Sequence, residues 1–160
     1  MLTITGLADS PRTLSFADLG AIPAENQVTD VSRLIPGRKG DAVKLRGILE
    51  LVRPQSAAKY LGLHAAKDDF HASIPLDAVI DKALVIYRLD GQPLPEKAGG
   101  PVRFFIPDFA ACHTHEIDEC ANVKFVDRLE LTAEKGFDNR PHDGDEHAAL
   151  HAKEGGQQTT

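Results

Sequence analysis

Apolar and polar positions along the chain follow two periods. Residues 2–5 alternate loosely and predict a strand, and Gly6 to Pro11 predict a turn. Ser15 is placed to cap a short helical turn through Leu19, with Asp18 at the capping-box position. Leu45, Ile48, Leu49 and Val52 recur at helical spacing before Pro54, so a helix is expected over 45–52. A second helical turn is expected around Ala57 to Leu61. Strands are then expected from Leu61 to His64 and from Phe70 to Leu76, separated by a turn at Asp68-Asp69. A helical turn over Asp77 to Asp81 leads into the most organised stretch, residues 83–107. The last alternating run, Phe125 to Leu131, predicts a closing strand.

The stretch 83–107 reads as strand, tight turn, loop and strand. Leu84 to Tyr87 are β-branched or large and apolar, and Asp90-Gly91 is a hairpin signal. Pro93 and Pro95 keep the following residues extended. Gly99-Gly100-Pro101 permits an unusual backbone path before the apolar run Val102 to Ile106. Arg103 interrupts that run. Either it sits at a rim or in an ion pair, or its fork of donors holds an anion. The Gly37-Arg38-Lys39-Gly40 cluster poses the same choice. Arg33, Arg38, Lys39, Lys44 and Arg46 outnumber Asp30 and Asp41, so the segment is either a solvated loop or an anion site. It lacks the Gly-Lys-Ser/Thr ending of a phosphate-binding loop.

With 160 residues, one domain is expected. The net charge of −6 argues against a nucleic-acid partner. No apolar run has the length of a membrane span, and the N-terminus lacks a basic-then-apolar signal pattern, so a cytoplasmic location is the expectation. Two cysteines do not make a disulfide framework. From Thr132 onward the chain turns polar and glycine-rich, and a disordered tail over 132–160 is expected after a domain over 1–131. His142, His147 and His151 lie in that tail, where they read as solvated or as donors to a divalent cation.

The ordered set "LTITGLADSPRTLSFADL", "DFHASIPL", "LDGQPLP" with "GGPVRFFIP", and "NVKFVDRLEL" resembles the molybdopterin-binding domain of the sulfite oxidase family. The resemblance implies an α+β fold, a mixed β-sheet with short helices, and an oxidoreductase-like protein that binds a molybdopterin cofactor in altered form. Gly99, Pro101, Arg103 and Lys124 match the family pattern. The family carries a metal-ligating cysteine thiolate within the region matching 28–47. This chain has none there, and Val31 and Ser32 stand nearest the slot. Ala98 replaces a family histidine, and Phe125 a family tryptophan. The resemblance thus implies that Ser32, Arg38, Lys39, Arg103 and Lys124 are cofactor-binding, with Ser32 or Cys112 approaching the metal.

Relative to that family, residues 107–124 carry an insertion, "DFAACHTHEIDECANVK" lying within it. Cys112, His113, His115 and Cys120 offer thiol and imidazole donors of the kind that suit zinc or non-haem iron. Asp108, Glu116, Asp118 and Glu119 make the segment one that attracts a cation rather than a phosphate. The two thiols could instead form a disulfide or stay buried and inert. A second function therefore stands beside the first: a non-catalytic module that has lost the cofactor and binds a transition metal or a protein partner through the Cys112–Cys120 loop. Under the first, a small-molecule substrate or a redox protein is the expected partner.

Overall fold

The computed structural model describes residues 1–108 and 116–140. Two sheets enclose the main core. The first has five strands: β1 (Leu2–Gly6), β2 (Arg12–Leu14), β5 (Tyr60–Ala65), β6 (Phe70–Pro75) and β10 (Arg128–Thr132). Their order is β2-β1-β10-β5-β6. The β1–β10 pair is parallel and the others are antiparallel, so the sheet is mixed. The second sheet holds β3 (Gln27–Val28), β4 (Asp41–Lys44), β7 (Leu84–Leu89) and β8 (Gln92–Pro93) in that order, with β9 (Arg103–Phe105) paired to β7. The helices are short: α1 (Phe16–Gly20), α2 (Leu45–Val52) and α3 (Leu76–Val79). The fold class is the expected α+β. No helix among the described residues is long and apolar enough to cross a membrane.

Local chemistry accounts for the elements that the pattern predicted. Ser15 accepts from the Asp18 N–H while the Asp18 carboxylate accepts from the Ser15 N–H, so the capping box at α1 is complete. Helix α2 buries Leu45, Ile48, Leu49 and Val52 against both sheets and ends at Arg53, which is left-handed (φ 53°) just before Pro54. Asp90 and Gly91 both have positive φ, as a two-residue hairpin turn joining β7 to β8 requires.

Strand β7 reads as a continuous apolar run because it is buried on both faces. Val85 and Tyr87 face the main core, with Leu2, Ile4, Leu63, Leu129 and Phe104. Leu84 and Ile86 face a smaller cluster with Val31, Ala42, Leu94 and Phe105. In β9 the same alternation sends Phe104 to the main core and puts Arg103 and Phe105 on the other face. That parity positions the site described below.

Three boundaries differ from the expectation. Residues 56–57 form a turn, and Leu61 is already in β5, because its backbone pairs with Ile74 and Leu131. The closing strand starts at Arg128, since Phe125 is left-handed (φ 57°) and donates to Gly99 O at 2.8 Å instead of joining a ladder. Packing also continues beyond Leu131. Gly136 N–H donates to Ser73 Oγ, Ser73 N–H to the Asp138 carboxylate, and His71 N–H to Asn139 Oδ1, each at 2.9 Å. The polar residues that read as a tail are there satisfying the exposed edge of β6, and a boundary at 131 would cut through these bonds. The remainder of the expected tail, with His142, His147 and His151, lies outside the described residues.

Candidate functional site

Arg103 is only 9% exposed, although it is a charged residue in a strand. Its Nη1 donates to Ala98 O at 3.3 Å, and its Nε is buried with no partner among the described residues. Arg38 reaches the same place from the loop before β4. Its Nε is likewise buried and without a partner. Both guanidinium groups lie over one ring: Arg38 Cζ is 4.8 Å and Arg103 Cζ 6.0 Å from the Phe105 centroid. Neither joins any ion pair among the described residues, nor does Lys124. Burial, reinforced by repulsion from Arg38, pushes the Arg103 pKa down to about 10, so it stays charged at neutral pH.

Gly99 brings Lys124 into this group. It sits at φ 97°, and a Cβ there would lie 3.0 Å from Arg103 Cδ and 3.2 Å from Lys124 Cγ. The two cationic stems can therefore flank the backbone only because this residue has no side chain. The bond from Phe125 N–H to Gly99 O holds the segment carrying Lys124 against it. Gly100 is equally confined, since a Cβ would fall 1.8 Å from Leu94 O. The Gly-Gly-Pro-Val-Arg step thus builds one wall of a cationic, partly desolvated place. Buried donors without partners are costly, and an anion is the group that would satisfy them.

The structure brings three of the five expected cofactor residues together: Arg38, Arg103 and Lys124. Lys39, next to Arg38 in sequence, is exposed and makes no ion pair among the described residues. Ser32 is half-buried in the turn after Asp30. Its N–H and its hydroxyl both donate to Asp30 Oδ1. Asp30 N–H in turn donates to Asp41 Oδ1, and Arg88 Nε to Asp41 Oδ2, each at 2.8 Å. Ser32 is therefore tied to an acidic network rather than to the arginines. Val31, the other residue near the vacant cysteine slot, is fully buried in the cluster with Phe105.

Of the expected metal ligands, Cys112, His113 and His115 lie outside the described residues. Cys120 is half-buried in the turn 119–121, with its N–H on Asp118 Oδ1 at 3.0 Å. Among the described residues no group of three or more His, Cys, Asp or Glu could hold a metal ion.

Two features escaped the sequence reading. Phe105 is the shared platform of both arginines, a role signalled only by its parity with Arg103. Arg140, in the polar segment, is 4% exposed and bonded to Asp138, Asp118 and Ser73 O. An open groove of about 560 Å³, lined in part by Lys44, Arg46, Glu50 and Asp81, includes none of the three clustered cations. Its charges largely cancel within the chain, as in the Arg46–Asp81 pair.

Residues 41–139 match the model of the oxidoreductase molybdopterin-binding domain. The chain is 30% identical over 111 residues to the Uncharacterized oxidoreductase YuiH of Bacillus subtilis (strain 168), covering 66% of this chain and 56% of that protein. It is also 30% identical over 110 residues to YedZ1 of Azospira oryzae, named as a candidate protein-methionine-sulfoxide reductase subunit, covering 66% of this chain and 42% of that one. Among solved structures, the sulfane dehydrogenase SoxCD from Paracoccus pantotrophus superposes with a TM-score of 0.61 at 19% identity, over 84% of this chain and 38% of that one. The chain thus spans about half the length of the curated relatives it matches.

Proposed function

Because the chain belongs to the oxidoreductase molybdopterin-binding domain family, we propose that Arg38, Arg103 and Lys124 hold the anionic pterin of a molybdopterin cofactor. The observation that carries this reading is the pair of buried guanidinium Nε groups, on Arg38 and Arg103, which have no hydrogen-bond partner and no ion-paired carboxylate among the described residues. A phosphate or a pterin oxygen supplies the acceptors those donors need, and Arg is suited to fork recognition of phosphate. Phe105 keeps both guanidinium planes in place, and Gly99 lets Lys124 close from the other side. When bound, such a cofactor supplies two-electron redox chemistry at molybdenum.

The protein ligand to that metal departs from the family. Ser32 and Cys112 are the two candidates on this chain. In the described geometry the Ser32 hydroxyl gives its hydrogen bond to Asp30, so a carboxylate stands ready to hold the proton that a serine ligand would have to release. A small-molecule substrate and a redox-protein partner complete the reading, and the greater length of the relatives leaves room for the elements that would serve them.

Elemental analysis of tag-free protein from a host that makes molybdopterin, with pterin fluorescence on the same sample, tests this reading. Stoichiometric molybdenum with a pterin signal is the expected result. Zinc or iron without pterin would overturn it and move the function to the Cys112–Cys120 loop.

A further inference from the structure

Phe125 follows Lys124 in a turn outside every strand, and its backbone is left-handed at φ 57°. A bulky side chain rarely adopts that conformation, and it persists only where its surroundings hold it. The backbone supplies part of the hold. Phe125 N–H donates to Gly99 O at 2.8 Å, and Val126 N–H to Val102 O at 3.0 Å. Beyond them, Asp127 N–H donates to His64 O at 2.9 Å, and the Asp127 carboxylate accepts from Ala66 N–H at 3.0 Å. The segment that carries Lys124 is thus joined to the turn after β5.

Lys67 supplies the rest of the hold. It stands in that turn, Ala66–Asp68, next to the anchored Ala66. Its Nζ lies 4.5 Å from the centroid of the Phe125 ring and is also paired with Glu96. Glu96 opens the turn Glu96–Ala98, which ends on Gly99 and whose Ala98 O accepts from Arg103. One ammonium therefore touches both loops that meet at Gly99. It presents its charge to the face of a ring on one loop and to a carboxylate on the other. Lys67 also takes up the carboxylate of the Glu96 turn, while Arg103 and Lys124 join no ion pair among the described residues.

We propose that Lys67 is a positioning residue, which clasps the Glu96 turn to Phe125 and so fixes Lys124 beside Gly99. The space there is narrow. A Cβ on Gly99 would lie 3.2 Å from Lys124 Cγ and 3.0 Å from Arg103 Cδ, so a small shift of either loop changes where the two cations stand. Without the ammonium, the strained Phe125 turn keeps its bond to Gly99 but loses the group that covers its ring, and Glu96 is released. Lys67 is half-exposed and Glu96 exposed, so the pair adds little to global stability and its effect is local. What Lys124 then holds rests on the cofactor reading above; the clasp itself rests on contacts within the chain.

Hydrogen exchange of the Phe125 amide tests the clasp in the tag-free full chain, made in a host that supplies molybdopterin, with pterin content read on the same samples. Lys67→Met keeps an apolar stem on the ring and removes the charge. It is expected to speed exchange at Phe125 about two- to fivefold, the scale of an exposed cation–ring contact. The amides of β10 and the unfolding midpoint should stay at their wild-type values, and pterin content should fall. Lys67→Arg can stack on the ring and pair with Glu96, and it is expected to restore both the slow exchange and the pterin. A Phe125 amide no faster in Lys67→Met, an arginine variant as fast as the methionine one, or a Lys67→Met protein with wild-type pterin would overturn the proposal. A wild type without pterin would overturn the cofactor reading alone, and the two exchange comparisons would still decide the clasp.

Discussion

Arg103 and Arg140 are both arginines withdrawn from water, and the chain treats them in opposite ways. Arg140 is enclosed by its own partners: Asp138 at 2.6 Å, Asp118 at 3.4 Å and Ser73 O at 3.4 Å. Burial works against its charge, but Asp138 more than offsets this, and its pKa is raised. Arg103 has one backbone acceptor and a second arginine nearby, and its pKa is lowered. A buried cation that the chain satisfies holds a strap to a sheet edge. One that the chain leaves unsatisfied is prepared for a group from outside. The unsatisfied cation alone is costly to the fold, which is why it points to binding.

Removing the partner of the satisfied cation should have the largest effect. Asp138→Ala leaves Arg140 buried without its main carboxylate, and a loss of about 3–5 kcal/mol is expected in urea unfolding. Gly99→Ala comes next. It forces a Cβ to φ 97° and against the stems of Arg103 and Lys124, with an expected cost of about 1–3 kcal/mol. Arg103→Met should move the other way in the cofactor-free protein. Replacing an unpaired buried cation by an apolar chain of similar length is expected to raise stability by about 1–2 kcal/mol, read from the same unfolding curves. A loss of similar size would erase the contrast with Arg140.

The smallest effect is on pH dependence. Burial holds the His64 pKa below the ordinary value of 6.5, so the unfolded chain takes up its proton first as pH falls. This group's contribution to stability is present above that value and is lost as pH drops through the window beneath it. His64→Gln should flatten the acid side of an unfolding-midpoint profile between pH 5 and 7.

Much of the fold was legible because its signals are local. The apolar stripe of α2, the capping box at Ser15 and the Asp90-Gly91 turn each lie within a few residues and folded as expected. The pairing of β1 with β10 joins the two ends of the domain and has no local signal. The candidate site was legible in part. Arg103 stood out as a charge within an apolar run, and the family pattern pointed to Lys124. The convergence of Arg38 on Phe105 depends on a loop whose path no periodicity encodes. Residues 136–140 were misread because polarity there suggested solvent, whereas the exposed donors and acceptors of β6 need polar partners. The His64–His71 contact follows from the strand register around Asp68-Asp69, and only the fold shows which nitrogens meet.

The most direct test of the central claim compares tag-free wild-type protein with the double variant Arg38→Gln, Arg103→Gln, both made in a host that supplies molybdopterin. Pterin and molybdenum contents are read on the same samples as the unfolding curves. The predicted result is a wild type that carries both and a variant that is folded, at least as stable, and empty. A folded variant that retains pterin at the wild-type level would contradict the assignment of the two unpartnered arginines to the cofactor.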